Sequence, residues 1–425
     1  MKTFDNIVPE IVEALRSVDQ EKLHAIGDLI VNRDLMGRLR LVANDQVQEN
    51  ADARAALSEL SGKLVERLGA RAYPLGQAVL FEEDLDQVKS GAPAYFLEEF
   101  PRVLVLDRLV SETNWASFEP QTNSAPRIVF FSIKGGVGRS TALAATAWAL
   151  AQAGKRILVV DLDLESPGLS SAILTPEKQP KYGVTDWLVE DLLNNGDEVF
   201  QSMVATSDLA RDGEIYVVPA HGADPGEYIS KLGRAWMSKV LEDGRREVWG
   251  ARLKRLLNNL EERWKPDVIL IDSRAGIDEI ASSCITDLGA TLVLLFAIEG
   301  SQTWSGYRIL FEHWRRMGVA EVIRERIQII SALTPETDRI GYLQGLRDRS
   351  YDLFSLSLYD DVRPSETFSD LWHFESADET APHYPWEIKW HRSFAGLRSL
   401  HGRIVDIDAA EVESIFGGLI KGVNL

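Results

Sequence analysis

Apolar residues change their spacing partway along this 425-residue chain. Near the N-terminus they recur at helical intervals: Val8, Ile11, Val12 and Leu15, then Leu23, Ile26, Leu29 and Ile30, then Leu57, Leu60, Leu64 and Leu68. Each set predicts a helix with one apolar stripe, and the region up to about residue 69 reads as helical. The register does not persist through successive heptads, so a small helical core is expected rather than a coiled coil. Two short apolar runs follow, at 78–81 and 103–106, around an acidic helical segment and the turn-forming Ser90, Gly91, Ala92 and Pro93.

From residue 127 the pattern is different. Unbroken runs rich in β-branched and aromatic residues occupy 128–133, 157–160, 214–219, 268–271, 291–297 and 326–332. Runs of this kind suit strands buried on both faces. Helix-forming stretches, among them 140–153 and 245–265, lie between them. The alternation predicts an α/β fold, a mostly parallel twisted sheet flanked by helices, with a smaller helical and α+β domain ahead of it. The polar, turn-rich residues 112–126 read as the linker, which sets the domains at 1–124 and 125–425. Beyond residue 360 the chain is aromatic-rich and irregular, and it ends in a helix with Val412, Ile415, Phe416, Leu419, Ile420 and Val423 on one face.

Length alone calls for two cores. A formal charge of −19 argues against a protein that coats nucleic acid. The one basic strip, Arg245, Arg246, Arg252, Lys254, Arg255, Arg263 and Lys265, is interleaved with Glu247, Glu261 and Glu262, so DNA binding is disfavoured. Cys284 is the sole cysteine, which excludes an intrachain disulfide and a cysteine metal cluster. His373, His383, His391 and His401 match no compact ligand spacing. Asp5, Glu10 and Glu13 interrupt the N-terminal stretch where a signal peptide needs an apolar core, and no run approaches a membrane span. A cytoplasmic location is expected. Lys421 is the only basic residue of the last helix, so membrane attachment is disfavoured.

The chemistry concentrates in Lys134, Gly135, Gly136, Val137, Gly138, Arg139, Ser140 and Thr141. Glycines between a buried strand and a helix let the backbone take positive φ and aim N–H groups at phosphate oxygens on the helix N-terminus. The general phosphate-loop pattern G-x-x-x-x-G-K-[ST] is met at Gly138 and Ser140, with Ile133 in place of its first glycine and Arg139 in place of its lysine. Together with Lys134 ahead of the paired glycines, KGGVG resembles the deviant P-loop of the ParA and MinD family of dimerising ATPases.

That resemblance implies ATP and Mg2+ as cofactors and a homodimer formed on ATP. It implies that Lys134 reaches the partner's nucleotide, that Arg139 contacts the β and γ phosphates, and that Ser140 binds Mg2+. The segment DLDLESPGLS at 161–170 resembles the family's switch I, with Asp163 positioning water or the metal shell and Asp161 and Glu165 as neighbours. KPDVILIDSRAG at 265–276 resembles a Walker B strand running into switch II, with Asp272 holding Mg2+ through water. Arg274 replaces the usual proline there, and Ser331 and Ala332 stand where many relatives have an adenine-recognising Asn. The implied activity is ATP hydrolysis, slow because of Arg139, in a switch that acts on a protein partner through the N-terminal domain. Two alternatives stay open: a nucleotide-binding scaffold that does not hydrolyse, and a partition-type ATPase that binds DNA through helix 245–265.

Overall fold

Short apolar runs form strands in both halves of the chain, and those strands organise two separate sheets. The computed structural model describes residues 3–89, 92–109, 115–121, 124–361, 371–392, 394 and 409–423. Two units result: Met1–Glu112 with Arg316–Gly318, and Thr113–Arg315 with Val319–Leu425.

In the first unit, helices α1 (Ile7–Arg16) and α2 (Gln20–Ile26) precede strands β1 (Leu29–Arg33) and β2 (Leu39–Asn44). Helix α3 (Ala51–Leu68), β3 (Val79–Glu82), α4 (Leu85–Lys89), β4 (Ala94–Leu97) and β5 (Phe100–Asp107) follow. The sheet order is β3-β2-β1-β5-β4. Ile7, Ile11, Leu57, Leu60 and Leu64 pack with Leu29, Val31, Leu41 and Val105 on one face. Leu29 and Ile30 therefore belong to a strand and not to the helix their spacing suggests. Gly27, at φ 79°, ends α2 before them. Ile30 faces a second small cluster with Val42, Leu104 and Leu106, so β1 is apolar on both sides, and a short run of that kind fits helical and strand periods alike.

The second unit carries β6 (Arg127–Ser132), α5 (Arg139–Gln152), β7 (Arg156–Asp161), β8 (Ala205–Thr206), β9 (Glu214–Val218), α6 (Trp249–Trp264) and β10 (Val268–Ala275). It continues with α7 (Glu279–Thr286), β11 (Leu292–Ala297), α8 (Ser301–Arg316), β12 (Ile327–Thr334), α9 (Arg339–Ser357), β13 (Trp386–Lys389) and α10 (Ala409–Val423). The strand order is β13-β12-β11-β6-β10-β7-β9-β8, with every neighbouring pair parallel except β8 with β9. Alternate residues of one strand serve opposite layers: Leu158 and Val160 face α6 through Leu253, Leu256 and Leu260, whereas Ile157 and Val159 join Leu143 and Leu150 of α5. This explains the unbroken apolar runs, and it confirms the mostly parallel sheet flanked by helices.

Three segments fill in detail the composition left open. Trp115 and Phe118, within the stretch expected as linker, pack on the second unit's core, and Trp314 Nε1 donates to the Trp115 carbonyl at 2.8 Å. The aromatic-rich region supplies β13, which pairs with the edge of β12. Helix α10 buries Val412, Ile415, Phe416 and Leu419 in the layer that also holds α5, as its apolar face predicts.

Candidate functional site

Strand β6 is central in the sheet, and the loop leaving its C-terminal end enters α5 directly. Ligands of parallel sheets gather at such carboxyl ends. Gly136 and Gly138 adopt φ 75° and 79°, a region a side chain disfavours. Gly135 does not, so two of the three glycines carry the conformational requirement. Gly138 is the N-cap of α5 and brings no capping side chain, which leaves the first-turn N–H groups directed at the loop. A Cβ at Gly138 would lie 3.3 Å from the Leu333 side chain, a second reason for glycine at this position. Above the loop opens a cleft of about 620 Å³, lined among others by Gly135, Gly138, Ser140, Thr141, Asp163 and Arg274.

Beneath the loop lies a buried group of charges. Arg139 is 7% exposed, and each of its three guanidinium nitrogens donates to a protein acceptor. Nε donates to Asp272 Oδ1 at 2.6 Å, Nη1 to Ser132 Oγ at 3.0 Å and Nη2 to Asp163 Oδ2 at 3.0 Å. Ser140 Oγ donates to the other oxygen of Asp272 at 2.5 Å. Asp161 is buried beside them and accepts from the backbone N–H groups of Asp163 at 3.1 Å and Leu169 at 3.2 Å, which pins the loop after β7. Burial, and then the charge of Asp272, raise the Asp161 carboxyl well above its ordinary range. Burial also raises Asp163, with Arg139 opposing and Asp272 adding. For Arg139 burial works against the charge, but Asp272 and Asp163 outweigh it and its pKa rises.

The structure thus brings Arg139, Ser140, Asp163 and Asp272 together under the loop, whereas Lys134 is exposed and does not line the cleft. Oxygen donors are what Mg2+ requires, and that ion is commonly held by one or two protein oxygens with water and phosphate completing its shell. The adjacent Ser140 hydroxyl and Asp272 carboxylate fit such a half-site.

Sequence reasoning missed Ser132, whose hydroxyl at the end of β6 receives the guanidinium. It noted Arg274 without finding its partners: Nη2 lies 2.6 Å from Glu165 Oε2, and Nε lies 3.4 Å from Asp278 Oδ2. A small cavity of about 60 Å³ meets the loop at Gly138 and Thr141, walled by Leu333, Ile388, Trp390 and Phe416. Leu333 has φ 53° at the end of β12, where the buried Ser331 bonds to Thr334 at 2.8 Å.

Other candidate chemistry dissolves into packing. On α6, Arg252 is buried against Asp191, Arg255 pairs with Asp191 and Glu247, and Lys254 pairs with Glu119, so much of the basic strip is neutralised within the chain. His383 is buried against Tyr359. His401 lies outside the described residues. Among the described residues, no group of three or more His, Cys, Asp or Glu side chains is placed to hold a metal, and no helix is long and apolar enough to cross a membrane.

The family model for the CobQ/CobB/MinD/ParA nucleotide binding domain matches residues 128–373, more than half of the chain. Among solved structures, the cell division ATPase MinD of Pyrococcus furiosus is 18% identical, over 70% of this chain and 98% of its own, with a TM-score of 0.42. The septum site-determining protein MinD of Pyrococcus horikoshii OT3, complexed with Mg-ADP, is also 18% identical, over 71% and 96%, with a TM-score of 0.42. The BceF tyrosine kinase domain is 22% identical, over 45% of this chain and 64% of its own, with a TM-score of 0.32. No curated protein matches.

Proposed function

Because the chain belongs to the CobQ/CobB/MinD/ParA nucleotide-binding family, we propose that it is an ATP-driven molecular switch of the ParA and MinD type, slow in hydrolysis and dimeric when ATP is bound. The observation that carries this reading is the left-handed Gly136 and Gly138 loop on the uncapped N-terminus of α5, standing over the Ser140 and Asp272 pair. Loop N–H groups cradle the phosphates, as positively polarised helix ends do elsewhere. Ser140 and Asp272 would hold Mg2+, which when bound supplies charge neutralisation at the β and γ phosphates. Asp163, which lines the cleft beside Arg139, orients the attacking water. Lys134, exposed beside the loop, reaches the nucleotide of a second copy.

Slow turnover follows from the side chain at position 139. A loop lysine places a compact charge on the transferring phosphate, whereas the Arg139 fork is spent on Asp272, Ser132 and Asp163. The same observation supports the second reading, a nucleotide-binding scaffold without turnover. The N-terminal unit, with its own sheet and core, serves as the partner-recognition module of this proposed cytoplasmic switch.

ATP turnover measured together with solution mass, with and without a nonhydrolysable ATP analogue, tests the proposal. Slow phosphate release and a doubling of mass with the analogue are expected, and Lys134→Ala should bind nucleotide yet stay monomeric. ATP binding without turnover would establish the scaffold instead, and no ATP binding would remove the nucleotide reading altogether.

A further inference from the structure

We infer that Arg274 is the residue by which this site distinguishes a nucleoside triphosphate from a diphosphate, an inference that rests on the nucleotide-switch reading above. It starts from an irregularity in β10. Asp272 pairs with Phe130 of β6, but Ala275 pairs with Ser132, so three steps on one strand oppose two on the other. One extra residue is accommodated across Ser273 and Arg274. Bulges of this kind bend a strand and re-aim a side chain. Here Ser273 is fully buried, while Arg274 is carried to the rim of the phosphate cleft. The strand end is then fastened to the base of the loop, since the Gly276 N–H donates to the Ser132 carbonyl at 2.9 Å.

Two arginines line the cleft, and their commitments differ. Arg139 is buried with three acceptors beneath the loop. The Arg274 side chain is 32% exposed, and its carboxylate partners Glu165 and Asp278 are 39% and 28% exposed. Ion pairs at that exposure are held weakly and exchange readily for a better acceptor. A terminal phosphate is such an acceptor, because it offers a doubly charged, fork-compatible edge to a guanidinium. The loop amides at the floor serve the phosphates that both nucleotides share. A cation on the rim serves the one that only the triphosphate has.

The two present partners make the exchange consequential. Glu165 sits in the loop after β7 that also carries Asp163, and Asp278 caps α7 by accepting from the N–H groups of Ile280 at 2.9 Å and Ala281 at 3.0 Å. When Arg274 turns to phosphate it releases both segments together, so the third phosphate is read by the same residue that ties them in its absence.

Equilibrium titration of the full chain with fluorescent ADP and with a fluorescent nonhydrolysable ATP analogue tests the assignment. Arg274→Ala should weaken the triphosphate analogue by about tenfold or more and leave ADP within about twofold, with Arg274→Lys in between. Glu165→Gln, which removes the competing negative charge and leaves the arginine in place, should tighten the triphosphate analogue selectively. Equal losses for both nucleotides in Arg274→Ala, or no loss for either, would overturn the role of Arg274 while leaving the nucleotide site intact. A natural chain that binds neither nucleotide would sink the underlying reading and the assignment with it.

Discussion

The floor and the rim of the cleft over the glycine loop each hold one arginine among carboxylates, and the two pairings do different work. On the floor, Arg139 is enclosed with Asp272, Asp163 and Ser132, so its charge is part of the architecture. On the rim, Arg274 meets Glu165 and Asp278 in contact with solvent, so its charge is available to a ligand. Water explains the difference. A buried guanidinium is worth keeping only while its acceptors stay in place, whereas an exposed one gives up its partners at little penalty. The sequence places both arginines at positions where the family pattern has another residue, and pattern alone assigns the phosphate contact to the first.

The comparison breaks most visibly if the floor is emptied. Arg139→Ala leaves the Asp272 and Asp163 carboxylates facing one another without their shared cation, and a loss of about 3–5 kcal/mol of unfolding free energy is expected. Arg274→Ala should change stability by less than about 1 kcal/mol. Urea unfolding of the two variants side by side measures both. Equal, small losses would mean that the floor is as solvated as the rim.

A second expected effect is a pH dependence that the floor contributes. The Asp161 carboxyl is raised in the folded chain, first by burial and then by Asp272, so the native state keeps a proton that the unfolded chain has given up. Its contribution to stability is therefore complete below the ordinary aspartate value near about 3.9 and is lost as pH rises through the folded value, by at most about 1.4 kcal/mol per pH unit. Asp161→Asn removes that titration. It also leaves an amide opposite the backbone donors of Asp163 and Leu169, an offset that does not vary with pH. Denaturant unfolding across the acid to neutral range should show the variant gaining on the natural chain as pH rises, then levelling. A difference independent of pH would show that Asp161 is charged in the fold throughout.

How far the sequence anticipates these features depends on how local each one is. The loop, the helix after it and the buried strands on either side are legible because strand period, glycine placement and helix composition lie within one contiguous stretch. Asp163 and Asp272 are legible for the same reason, each standing at the end of its own apolar run. Ser132 is not, because a hydroxyl at a strand end is ordinary until Arg139 is seen to reach it. Nor are the partners of Arg274, since a one-residue bulge changes where a side chain points without changing the apolar pattern. In the first unit, Leu29 and Ile30 fit a helical stripe and a doubly buried strand equally well, and the choice is made by pairing with Ala43, Val42, Val103 and Leu104, which the local pattern does not contain. Trp115 and Phe118 sit in a polar stretch whose composition hides two anchoring rings.

The smallest expected effect sharpens the comparison most finely. A double-mutant cycle on Glu165 and Arg274, using Glu165→Gln and Arg274→Met, isolates their pairing from whatever else each residue touches. The pair is close, at 2.6 Å, but both side chains are about a third exposed, so high-dielectric screening and the entropy of holding two long side chains oppose the attraction. A coupling of about 0.2–1 kcal/mol is expected, falling further as salt is raised, because the Debye length shrinks from about 10 Å at 0.1 M to about 3 Å at 1 M. The same cycle on Arg139 and Asp272 should give a larger coupling that salt hardly moves, since little solvent reaches either group. Unfolding free energies of the natural chain and the six variants at two salt concentrations decide the matter. A rim coupling that is large and indifferent to salt would mean that Arg274 is locked like Arg139, and an arginine held that firmly would have no reason to leave Glu165 for a phosphate.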